Sequence, residues 1–112
     1  MLETPGESTF DAADEEHIRR EKAKARALRQ SGWWKNQVGQ GQCYYCRRRV
    51  QPQALTMDHI VPIVRGGRST KGNVVPCCKA CNSQKTHRLP LEWTEYLEAR
   101  QQAAARPETT GR

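Results

Sequence analysis

A chain of 112 residues with 36% apolar and 28% charged side chains can carry one domain with short appendages, but not a large hydrophobic core. Neither end offers a run of ~18 apolar residues or a signal-peptide pattern, so no membrane segment is expected and the chain reads as soluble and cytoplasmic. Its five cysteines are an odd number and include two C-x2-C pairs, which points to metal rather than to a secreted disulfide framework.

In chain order, residues 1–10 are rich in Pro, Gly, Ser and Glu and read as a disordered tail. Residues 11–31 read as a charged helix. Asp11 is its candidate cap, acids crowd its first turns and bases its second half, and Glu15 with Arg19 and Glu16 with Arg20 form i,i+4 pairs. Its apolar side is thin, mainly Ile18, Ala25 and Leu28, and His17 is expected to be solvated. Residues 33–104 form the main domain. It opens on Trp33-Trp34, read as hydrophobic anchors in a short helix or turn. A tight turn follows at Cys43-Tyr44-Tyr45-Cys46, then strand-like residues 54–60, a Gly-rich loop at 65–72, and a second short strand from Asn73 to Pro76. A short helix is expected over 78–86. Pro90 suits the first turn of a last helix, whose Leu91, Trp93, Tyr96 and Leu97 could close over the core. Residues 105–112 read as a second disordered tail.

The charge is distributed unevenly. Between Trp33 and Pro90 stand ten Lys or Arg and a single acid, Asp58, which leaves this core at +9 while the flanks sum to −2. Such a core attracts polyanions, and nucleic acid is the expected partner.

Cys43, Cys46, Cys78 and Cys81 match tetrahedral zinc, each pair gripping one ion from a turn whose amides can also bond the sulfurs. Cys77 lacks the two-residue spacing and is taken as a spare or buried thiol. A core this small supplies about 3–5 kcal/mol by burial, whereas structural zinc contributes about 10–16 kcal/mol in small peptides. Four sulfurs leave no position for water, so this zinc is expected to be structural. Chemistry must come from elsewhere.

The other constellation is Asp58-His59 with Asn73 and Asn82. Phosphodiester hydrolysis requires a base for the attacking water, a Lewis acid on the phosphate, and cations that draw the polyanion in. His59, with an ordinary pKa of ~6.5, suits the base. Asp58 and Asn82 offer oxygens suited to a hard cation such as magnesium or manganese. Adjacent strand residues point to opposite faces, so Asp58 and His59 share a site only if the backbone bends or the metal sits to one side.

Cys43-x2-Cys46, Asp58-His59-Ile60-x-Pro62, Gly66-Gly67, Asn73, Cys78-x2-Cys81-Asn82 and Lys85 resemble the HNH endonucleases, the ββα-metal nucleases, in their four-cysteine branch. The resemblance implies a small α+β fold: a ββα-metal core clamped by structural zinc, here flanked by N- and C-terminal helices. It implies a DNA hydrolase that leaves 5′-phosphate and 3′-hydroxyl ends. His59 would be the general base, and Asp58 and Asn82 the ligands of a catalytic Mg²⁺ or Mn²⁺. Asn73 would fix the loop and orient His59, and Lys85 would neutralise phosphate. Arg47, Arg48, Arg49, Arg65, Arg68 and Lys71 complete the expected DNA-binding set. The family often has histidine where this chain has Asn82; His87 could take that place only if its helix ends early, and is otherwise a surface residue. The competing reading is a zinc-stabilised DNA-binding module without catalysis. Sequence preference is expected to be weak, and the oligomeric state stays open, with a monomer sufficient.

Overall fold

The structure is a computed structural model and describes residues 13–105. The tail expected over 1–10 and nearly all of that over 105–112 lie outside the described residues, as does Asp11. Four helices and one two-stranded sheet are present among the described residues: α1 (Glu15–Arg29), α2 (Gly32–Gly39), β1 (Leu55–His59), β2 (Val74–Cys78), α3 (Lys79–Lys85) and α4 (Pro90–Ala105). Single 3₁₀ turns at Pro52–Ala54 and Ile63–Arg65 precede and follow β1.

Asp14, rather than Asp11, caps α1: its carboxylate accepts the His17 amide at 2.8 Å. Glu15 and Glu16 then meet the positive end of the helix and Arg26 and Arg29 the negative end. Ser31 caps α2 in the same way, accepting from the Trp34 amide, and Trp34 is buried while Trp33 is only half-buried. β1 and β2 pair antiparallel, with Leu55 opposite Cys78 and His59 opposite Val74. α3 leaves β2 without a linker because Cys78 serves as its cap, its sulfur accepting the Cys81 amide at 3.4 Å. The expected ββα unit is therefore β1, β2 and α3, a small α+β arrangement.

α4 closes over this unit mainly through Trp93, which is buried, meets Tyr45 edge-on at 5.6 Å and stacks on Tyr96 at 5.6 Å. Leu91, expected on the same face, is 69% exposed and does not contribute. The core is thin and rich in sulfur: Cys43, Leu55, Cys77, Cys78, Cys81 and Trp93 form its buried cluster.

The Sγ atoms of Cys43, Cys46, Cys78 and Cys81 lie within 4.8 Å of one another, so these four could hold a zinc ion. Burial opposes ionisation of Cys43, but amide donors from Cys46, Cys78 and Tyr45 outweigh it and bring that thiol down to about 7. Burial and the neighbouring sulfurs push Cys46 and Cys81 up instead. Four sulfurs this close cannot all ionise without a cation between them, and a divalent metal is what the donor set fits. Cys77, fully buried, turns its thiol to the Cys78 carbonyl and is not one of the four converging sulfurs.

The loop from 60 to 73 joins the strands and is clamped by Asn73. Its side-chain oxygen accepts the Val61 amide at 2.9 Å, and its nitrogen donates to the carbonyls of Val61 at 3.1 Å and Arg68 at 2.8 Å. Gly67 makes that closure possible, because a Cβ there would stand 1.7 Å from the Val61 carbonyl oxygen.

Two outcomes follow from this frame. The purified chain should carry one equivalent of zinc, lost together with cooperative unfolding on strong chelation or in Cys81→Ser, and retained in Cys77→Ser; an unaltered melting curve after complete metal removal would refute the clamp. Gly67→Ala should destabilise by about 1–3 kcal/mol, the range of forced overpacking, whereas Gly72→Ala, where the added carbon meets nothing within 4 Å, should melt close to the wild type.

Candidate functional site

Asp58 and His59 close β1, the chain bends at Ile60 and Val61, and Asn82 stands on α3 beside them. These residues border one cleft of about 310 Å³, together with Met57, His87 and, from α1, Lys22. Adjacent strand residues ordinarily face opposite ways, yet Asp58 and His59 both border this cleft at the end of β1.

Each of the three is held by one atom and leaves another without a hydrogen-bond partner among the described residues. Asp58 is buried, and its Oδ2 accepts from the Tyr45 hydroxyl at 2.7 Å and pairs with Lys85 Nζ at 3.2 Å, which leaves Oδ1. Asn82 donates from Nδ2 to Thr56 Oγ1 at 3.1 Å. The Thr56 hydroxyl in turn donates to the Cys77 carbonyl, so the amide orientation is set and Asn82 Oδ1 is left. His59 Nε2 meets Ser69 Oγ at 2.9 Å, which leaves Nδ1. A carboxylate oxygen and an amide oxygen form a hard donor pair that fits magnesium or manganese better than a soft metal.

Burial holds the His59 imidazole below its ordinary value, with the Asp58 carboxylate opposing, so the ring favours its neutral form. Burial and Asp58 push the Tyr45 phenol up, which keeps it a hydrogen-bond donor to that carboxylate.

Asn73 lies outside the cleft lining, and its side chain bonds Val61 and Arg68 rather than the His59 ring. Lys85 requires a correction. It is 1% exposed, donates to the His59 carbonyl at 3.0 Å as well as pairing with Asp58, and so is not available to a phosphate. Arg65 is also committed, to Glu92 at 3.3 Å and to the His87 carbonyl at 3.2 Å, and only partly exposed. Arg47, Arg48, Arg49, Arg68 and Lys71 remain exposed. His17 is not free in solvent, because its Nε2 donates to the Gly67 carbonyl at 2.9 Å. α3 ends at Lys85, Thr86 adopts φ 48°, and His87 comes to the cleft while staying exposed.

Sequence reasoning missed Tyr45, Thr56, Ser69 and Glu21. For Lys85 a signal was present: it lies four residues after Cys81 and must share the face that buries that sulfur. No such local signal marks Tyr45, since its partner Asp58 is 13 residues away.

No helix among the described residues is long and apolar enough to cross a membrane. No curated protein matches the chain significantly. The model of the HNH endonuclease family matches residues 43–97. That segment contains both cysteine pairs, both strands, α3 and the residues Asp58, His59, Asn73 and Asn82, and with it the chain carries an HNH endonuclease domain.

Proposed function

We propose that the protein is a divalent-metal-dependent endonuclease that hydrolyses DNA phosphodiester bonds with His59 as general base. One observation carries this reading: Asp58 Oδ1, His59 Nδ1 and Asn82 Oδ1 are the unengaged atoms of three residues that border a single cleft, in a segment where one acid stands among ten bases.

His59 takes the proton of a water that attacks the scissile phosphorus, and the bond to the 3′ oxygen breaks, giving a 5′-phosphate and, with a proton from solvent, a 3′-hydroxyl. Asp58 and Asn82 would hold Mg²⁺ or Mn²⁺, which would supply positive charge to the phosphate and the leaving oxygen. Lys85 fixes Asp58 from beneath, and Tyr45 fixes it from the first cysteine turn. Asn73 holds the loop behind His59. Exposed cations at Arg47, Arg48, Arg49, Arg68 and Lys71 engage the DNA backbone, joined by Lys22 at the cleft and by Arg29, whose guanidinium lies 3.9 Å from Met57 Sδ above β1. Contacts of this kind read phosphates rather than bases, so sequence preference should be weak.

His59→Ala should lower plasmid cleavage in Mg²⁺ or Mn²⁺ by about 10²–10⁴-fold while DNA affinity stays near the wild-type value. Wild-type protein that binds plasmid but leaves it intact with either metal would sink this reading in favour of a zinc-stabilised DNA-binding module. Lys22→Ala with Arg29→Ala should weaken binding uniformly across sequences, each lost phosphate contact reducing the slope of log affinity against log salt by about 0.9; an unchanged slope would remove α1 from the DNA footprint.

A further inference from the structure

Glu21 lies on α1, outside the segment matched by the family model, and is 2% exposed. A carboxylate is not buried at such a position without partners that hold it. Its Oε1 accepts the Ser69 amide at 2.7 Å, and its Oε2 lies 3.2 Å from Lys24 Nζ. Its backbone carbonyl accepts the Ser69 hydroxyl at 2.6 Å. Ser69 is itself buried and therefore held twice by one residue, 48 positions away in sequence.

The hydroxyl has one hydrogen, and a carbonyl can only accept. That hydrogen is committed to Glu21, so the 2.9 Å contact between Ser69 Oγ and His59 Nε2 requires the ring to donate. The geometry points to Ser69, anchored by Glu21, as the positioning residue that fixes neutral His59 as its Nε2–H tautomer and leaves the Nδ1 lone pair for the cleft. Since Nε2 is occupied, Nδ1 is the nitrogen that can take a proton from water; that last role rests on the function proposed above, whereas the tautomer itself does not. α1 thus belongs to the working site: Glu21 acts through Ser69 on the base.

The test uses the full zinc-loaded chain with ¹⁵N-labelled histidine, at about pH 8 where an ordinary imidazole is neutral. Long-range ¹H–¹⁵N correlation distinguishes the protonated ring nitrogen from the bare one, and His59→Gln assigns the His59 signals among the three histidines. The wild type should show hydrogen on Nε2 and a bare Nδ1. Ser69→Ala and Glu21→Ala should show a mixture of tautomers, with cleavage slowed by about tenfold or more at unchanged DNA affinity and zinc content. Glu21→Gln, which keeps an acceptor for the Ser69 amide, should restore the wild-type signature relative to Glu21→Ala. Hydrogen found on Nδ1 in the wild type, or a signature unmoved by Ser69→Ala, would overturn the assignment. The spectra need neither cleavage nor a metal in the cleft, so an inactive wild type would defeat the nuclease reading without touching this one.

Discussion

The convergence of four sulfurs, near enough to one another to hold one metal ion, is the constraint on which the other contacts depend. Cys43 and Cys46 sit on a turn ahead of β1, and Cys78 and Cys81 at the junction of β2 and α3. Joining the pairs places Tyr45 against Asp58 and starts α3 where Asn82 can reach Thr56. The apolar cluster is too small to enforce these placements alone, since four of its six buried residues are cysteines. Burial, metal affinity and site geometry are therefore one problem in this fold, solved at the same atoms.

Asp58, His59 and Asn82 follow one rule: each is held by one atom and leaves another without a hydrogen-bond partner among the described residues. Tyr45 and Lys85 occupy one oxygen of Asp58, Thr56 fixes the Asn82 amide, and Ser69 takes one nitrogen of His59. Holding of this kind fixes direction at little cost in conformational freedom, because the holders are themselves satisfied: Thr56 by a backbone carbonyl, Ser69 by Glu21, Lys85 by the His59 carbonyl. Side chains preorganised in this way need little further ordering to engage a ligand.

Much of this was legible in the sequence wherever the information is local. The C-x2-C spacing marks turns, Asp-His between apolar residues marks a strand end, and the capped, charge-graded run from 15 to 29 marks α1. Helix limits moved by a few residues, as with Asp14 replacing Asp11, because several acids compete for one cap. What escaped is set by contacts between residues far apart in the chain. Glu21 looks like one more solvated acid on a charged helix until tertiary packing turns it, with Ala25 four residues on, toward the loop. Lys85, three residues after Asn82, reads as a phosphate ligand, but its four-residue spacing from Cys81 places it on the buried face of α3.

The pairing of Asp58 with Lys85 has an effect at longer range. Asp58 is the only carboxylate between Trp33 and Pro90, and a buried cation cancels it within a few ångströms. Seen from outside, the segment therefore presents its bases without an acidic interruption, because the one carboxylate it contains is buried and paired.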